Sequence, residues 1–426
     1  MNGLTPSYER ETGQVILEGF PAGPAGEAPL IPVSGLDLAF DRADGRLCRV
    51  VVDTDATGTD GSIAVGAQVA AMLIQLFGAD APSALSNPAG AKALSPDPGL
   101  ARTLSSLARL YAARATSPVP TCSPWWAAEA AELAEHAGLH ARASTEAHRA
   151  LAKLPGQLDS IRTSVLPEPA ARAALAVAAI AAADEPAAVT RLREVIDGRP
   201  GLLPATPSPI PGFDVAHEVK SLEKDQARLG GLQWMLDPDL VPEGLFRPGL
   251  SPYSDLTVRH EGAQGRVVVE ATLAPDADCG VLGRCLARLV DPEVRRVLAQ
   301  AAFTKTAVGR VRAELQLPFP LDELQESWIE VVQDKLWPVR SAKGHRIRRA
   351  LRWADAALRA ERAPAGLAPQ SAHEDWTALA VTAWERCGHD WEAAGDADRA
   401  GQAARRQADP PSAGGGPAYL AETLGR

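Results

Sequence analysis

Two stretches of the chain share one pattern of apolar and polar positions. Asp37–Asp53 reads "DLAFDRADGRLCRVVVD" and Asp255–Glu270 reads "DLTVRHEGAQGRVVVE". Each opens on Asp-Leu, breaks at a turn that contains Gly, and closes on Arg-Val-Val-Val and a carboxylate. Val, Ile, Leu and Phe suit a pleated, half-buried surface, and Asp44-Gly45 is a turn dipeptide, so the pattern predicts two β-hairpins. A looser third version runs from Val297 to Pro318. In all three a Gly-Arg pair leaves the turn: Gly45-Arg46, Gly265-Arg266 and Gly309-Arg310. Glycine is expected there for a positive φ, and the arginine on a solvent face or sheet edge, where charge discourages edge pairing.

Segments of helical character follow each hairpin, at Ser62–Phe77, Cys279–Leu289 and Leu321–Asp334. Beyond the first and third the pattern is almost wholly helical. Pro124–Pro155 reads as two helices meeting near Gly138, and Ala383–Pro411 as two helices meeting near Gly395. Ala171–Gly198 and Ile347–Ala363 supply further helices. The Pro-rich run "RPGLLPATPSPIP" from Arg199 to Pro211 reads as an extended linker. The expected organisation is a half at 1–198, a linker at 199–212, a second half at 213–408 and a disordered tail at 409–426, with a docking turn at "AYLAETL". Each half reads as hairpin, helices and helix pair, which suggests an internal duplication.

The helix pairs resemble tetratricopeptide repeats. Trp384, Cys387, Gly388 and Trp391 sit at the spacing W-x2-L-G-x2-Y, with Cys in place of Leu and Trp in place of Tyr. Gly395 and Ala400 match the turn glycine and second-helix alanine. Around the first pair, Gly138, Ala143, Ala150 and Pro155 match only the turn and second helix. The resemblance implies an α+β protein of two related halves, each with antiparallel hairpins and a repeat-like helix pair. It also implies protein binding along helical surfaces.

Composition narrows the function classes. With 43 basic against 53 acidic residues the net charge is −10, which argues against a nucleic-acid coat. The opening "MNGLTPSYERETG" has no apolar signal core, and five scattered cysteines suit a reducing compartment, so a cytoplasmic protein is expected. Cys279 and Cys285 are five residues apart, a spacing that fits no common zinc knuckle. "GSIAVGAQVAAMLIQLFG", Gly61–Gly78, is uncharged over 18 residues. Its glutamines and glycines favour a helix buried on a sheet over a membrane span.

Four constellations could carry chemistry. "RVVVDTDATGTDG" resembles the first motif of haloacid dehalogenase-type phosphatases, which implies Asp53 as nucleophile, Asp55 as general acid and a Mg²⁺ ion. The lysine and second acidic motif of that family are not found downstream. A calcium loop through Asp53, Asp55, Gly58 and Asp60 lacks the twelfth-position Glu, where Ala64 stands. The simpler reading is that these residues cap the following helix. His136 and His140 are spaced as metal ligands on one helix turn, but Gly138 between them marks a break. The basic run "VRSAKGHRIRRALRWADAALRAER" sets Arg348, Arg349 and Arg352 beside an apolar stripe. It reads as a solvated face or a dock for an acidic partner. Trp384 and Trp391 are the aromatic anchor candidates.

These readings converge on a non-catalytic protein-binding adaptor or regulatory scaffold, without cofactor, metal or membrane partner. Arg348, Arg349, Arg352, Trp384 and Trp391 are its expected binding residues. The alternatives are a Mg²⁺-dependent phosphatase-like enzyme using Asp53 and Asp55, and a nucleic-acid-linked regulator using the Arg346–Arg352 run.

Overall fold

The computed structural model describes residues 4–54, 56–57, 63–86, 92–117, 123–160, 166–197, 202–203, 232–317, 327–333, 337–366, 373–409 and 419–424, with gaps at 10, 11, 13, 20, 29, 30, 34, 243, 262–264, 275, 276 and 308. The chain divides into two compact units, residues 1–112 with 124–203 and residues 113–123 with 204–426. The boundary at residue 203 falls inside the stretch expected to be the linker, most of which lies outside the described residues. Helices and antiparallel sheets are both present, as the α+β class requires.

In the first unit, β1 (Thr5–Glu9), β2 (Gln14–Glu18), β3 (Ile31–Val33), β4 (Leu36–Phe40) and β5 (Leu47–Asp53) form an antiparallel sheet in the order β1-β2-β5-β4-β3. The register sets Val15 and Leu36 beside Val52, and Leu17 and Leu38 beside Val50. These six side chains share one face and are sealed from solvent, the outcome of period-two alternation. The first expected helix starts later than its pattern suggested. Ile63–Ala64 is a short strand, and α1 covers Ala67–Phe77 with Val69, Met72, Leu73 and Leu76 buried. The helix sits close on the β3–β4 turn: a Cβ at Gly35, whose φ is +85°, would lie 2.7 Å from Val69 Cγ2. The longer α2 (Pro98–Thr116) follows. The expected helix pair is α3 (Pro124–His136) and α4 (His140–Leu151), joined through Gly138, with α5 (Glu168–Ile180) packed against both.

The second unit holds two four-stranded sheets. One runs β6 (Leu232–Trp234), β13 (Ser327–Val332), β9 (Leu286–Asp291), β10 (Arg296–Ala302); the other runs β7 (Leu256–Glu261), β8 (Arg266–Thr272), β12 (Arg310–Gln316), β11 (Thr304–Ala307). β7 and β8 are the second expected hairpin. The third differs from its expectation, because only β11 and β12 pair around Gly309. The strand before them, β10, belongs to the other sheet and pairs with β9. The glycines at the three turn exits have φ of +70°, +67° and +72°, the left-handed region that a Cβ disfavours.

Two expected helices are corrected. Of Cys279–Leu289, only Cys279–Leu282 is helical, and Leu286 opens β9. Of Leu321–Asp334, the residues up to Glu326 and Asp334 itself lie outside the described residues, and Ser327–Val332 is the strand β13. Every residue of β13 is buried, so both faces are covered and the apolar run has no alternation to report. The helices of this unit are α6 (Ala342–Gly366), α7 (His373–Ala393), α8 (Ala397–Ala408) and α9 (Leu420–Leu424). α7 packs along α6 and turns into α8 at Gly395, whose φ is +80°. In place of a disordered tail throughout 409–426, α9 buries Leu420, Ala421 and Glu422.

The two similar phrases occupy similar positions, since each contributes a hairpin whose second strand is interior to a sheet. The connectivity around them differs. β5 has as its other neighbour β2, which precedes the hairpin, whereas β8 has β12, which follows it.

Candidate functional site

Asp53 ends β5, which is antiparallel to β2 on one side and to β4 on the other. The parallel strands that the phosphatase resemblance implies do not flank it. Its exposed carboxylate accepts a hydrogen bond from Gln14 Nε2 at 2.8 Å, and its N–H donates to Gly35 O at 3.2 Å. Asp55 lies outside the described residues. His136 and His140 do not converge: Nδ1 of the first is 2.7 Å from Glu132 O, and Nδ1 of the second is 3.1 Å from Glu135 Oε2. Among the described residues no group of three or more His, Cys, Asp and Glu side chains could hold a metal, and no helix is long and apolar enough to cross a membrane.

The five expected binding residues all lie in the second unit, and none forms a solvated face. Arg348 reaches Asp237 at 3.2 Å and also contacts Asp239; Arg340 reaches the same Asp237 at 2.6 Å. Arg349 grips Asp390 of α7 through Nε at 2.8 Å and Nη2 at 2.6 Å, donates to Gln233 of β6, and stands 4.6 Å over the Trp328 ring of β13. Arg352 is only 4% exposed; it donates to Asp255 through Nη2 at 2.6 Å and Nε at 3.1 Å, and to Gly249 O at 2.9 Å. The arginines of α6 therefore peg the helix to a loop, a sheet and a neighbouring helix. A solvated basic stripe was expected because (i, i+4) spacing places charges on a face without saying what covers that face. Trp384 and Trp391 are core residues too. Trp384 Nε1 donates to Glu361 Oε1 at 2.6 Å, and the two indoles carry the guanidinium groups of Arg406 and Arg399 at 5.3 and 4.5 Å.

Sequence reasoning missed the acidic and imidazole partners of this network. Asp255, the first residue of the doubled phrase, is buried; burial pushes its carboxyl up, and Arg352 and the Gly249 N–H oppose that shift without cancelling it. Glu330 of β13 is buried between Arg288, whose Nε donates at 2.6 Å, and His345, whose Nε2 lies 3.0 Å from Oε1. Burial alone would raise Glu330, but His345 and Arg288 together hold it below the usual carboxylate range. The His345 ring stacks on Trp328 at 4.8 Å. A carboxylate in an otherwise apolar strand, "SWIEVV", was the one available signal that a cation must meet it there.

Beside this network an open cleft of about 470 Å³ lies where the start of α6 meets the α7–α8 turn. Ile347 and Trp391 give it an apolar floor, and Lys343, Asp396, Asp398 and Arg399 rim it. Lys343 and Asp398 are exposed, whereas Asp396 caps α8 by accepting from the Arg399 N–H at 3.0 Å. Comparison of the chain with protein-family models, with curated proteins and with solved structures finds no match.

Proposed function

We propose that this protein is a non-catalytic adaptor that holds a segment of another protein in the cleft beside the α7–α8 turn. The observation that carries the reading is the make-up of that cleft, an apolar floor ringed by exposed charge on rigid helices. An acidic segment suits it best: a carboxylate can meet Lys343 while an apolar side chain covers Ile347. The helix pair that forms the turn is also the better of the two resemblances to tetratricopeptide repeats, which bind along helical surfaces. The arginines of α6 serve this reading indirectly, because the pegs that fix α6 also fix the cleft wall.

The test is affinity capture with the full chain and with the double charge reversal Lys343→Glu/Asp398→Lys. Both side chains are exposed, so the fold should be retained and the captured partner lost. Recovery of the same partner in the same amount with the double variant would defeat this reading.

A further inference from the structure

The short helix α9 is held by groups that otherwise lack a counter-charge. Arg359 of α6 is 3% exposed, and its one hydrogen bond is donated from Nη2 to Thr116 O; Nε and Nη1 have no partner. A buried guanidinium with unsatisfied donors is costly unless an anion stands near it. Burial, followed by the like charge of Arg352, pushes Arg359 down to about 10, while Glu422 of α9 and Asp355 act in the opposite sense. Glu422 is itself buried and accepts a hydrogen bond from Ser117 Oγ at 3.4 Å. Next to it, the Tyr419 ring lies 5.0 Å from the Arg362 guanidinium, and Leu420 and Ala421 are buried. An aromatic ring, an apolar pair and a carboxylate thus enter a place whose floor is arginine and hydroxyl.

The covalent connection to this segment is slight. Residues 410–418 read "PPSAGGGPA", with no charged and no large side chain, a composition that acts as a tether rather than a packed element. Nine such residues allow roughly 15–18 Å of root-mean-square reach. The segment is therefore docked by its own contacts, in the manner of a bound peptide.

We propose that Tyr419–Glu422 is a displaceable ligand held in cis, and that the site formed by Thr116, Ser117, Arg359 and Arg362 recognises a short acidic helix of the pattern aromatic-Leu-Ala-Glu. This site is separate from the cleft at the α7–α8 turn, and neither proposal requires the other. The tail acts as its built-in competitor. A tether of this length presents its segment at an effective concentration on the order of millimolar, so a free peptide must exceed that level to enter.

The probe is a fluorescein-labelled synthetic peptide of residues 417–426. It is titrated by anisotropy against the full chain, and against a full chain whose Gly414–Gly416 is replaced by a protease site, before and after cutting and gel filtration. Expected is weak binding before the cut and binding at least ~10-fold tighter after it, with a peptide carrying Glu422→Arg failing to bind. A full-length Leu420→Asp variant, whose own tail is undocked, should bind the peptide as the cut chain does. The proposal is overturned if peptide affinity is the same before and after the cut. It is also overturned if the severed tail stays with the body through gel filtration, which would make α9 a permanent element of the fold. Indifference to the Glu422→Arg change would remove the role of the arginines.

Discussion

Replacing Arg352 by Met is the sharpest probe of how α6 is held. Asp255 is 3% exposed and receives three hydrogen bonds, two from Arg352 at 2.6 and 3.1 Å and one from the Gly249 N–H at 2.8 Å. Arg352→Met removes two of them and the only cation bonded to the carboxylate, and also deprives Gly249 O of its donor. Breaking a buried pair by removing one partner costs about 3–5 kcal/mol. For a folding unit of this size each kcal/mol lowers Tm by about 2–4 °C, so a fall of roughly 6–20 °C is expected. The assay is urea unfolding followed by tryptophan fluorescence, because Trp353 is the next residue and packs edge-on against Tyr253 at 5.5 Å. A pH series supplies the sign. Burial already holds the Asp255 carboxyl above its ordinary range, and loss of Arg352 raises it further. A raised folded pKa means stability that is present at low pH and lost as pH rises through it, so the deficit of the variant should shrink on acidification. Adding Asp255→Asn should then recover about 1–3 kcal/mol, since a neutral amide can still accept from Gly249 N–H. A loss below ~1 kcal/mol, or a double variant no more stable than the single one, would refute the claim that this pair pins the helix.

Three further outcomes can be checked. Glu330 is held low, so its contribution is present above the ordinary carboxylate pKa and lost as pH falls through the lowered value; Glu330→Gln should destabilise at neutral pH and flatten the acid limb of the stability curve. A Cβ at Gly388 would lie 3.6 Å from Ala403 Cβ and 3.7 Å from Ala400 O, an ordinary contact, so Gly388→Ala should be tolerated while Gly388→Leu overpacks the α7–α8 crossing and costs about 1–3 kcal/mol in thermal unfolding. Asp53→Asn removes an exposed carboxylate from a strand end and should change stability by less than ~0.5 kcal/mol; a Mg²⁺-dependent phosphatase activity abolished by that change would revive the enzyme reading.

Local order could be read from the sequence wherever one residue's environment depends on its near neighbours. The hairpins at Asp37–Asp53 and Asp255–Glu270, the three turn glycines and the helix breaks at Gly138 and Gly395 all follow from period, turn chemistry and the missing Cβ, and the structure holds each of them. The errors came where burial is set by distant parts of the chain. "SWIEVV" is a strand because both its faces are covered, and a doubly covered strand loses the alternation that would have marked it. "VLAQAAFTKTA" changes sheet at Phe303, which its own residues do not record. The arginines of α6 have the spacing of a surface stripe. Only the tertiary structure decides that Asp237, Asp390 and Asp255, at 111, 41 and 97 residues' separation from Arg348, Arg349 and Arg352, turn that stripe inward. A charge pattern along a helix states which side chains share a face. What meets that face depends on the chain's long-range path, because in the interior an ion is stable only where its partner is brought to it.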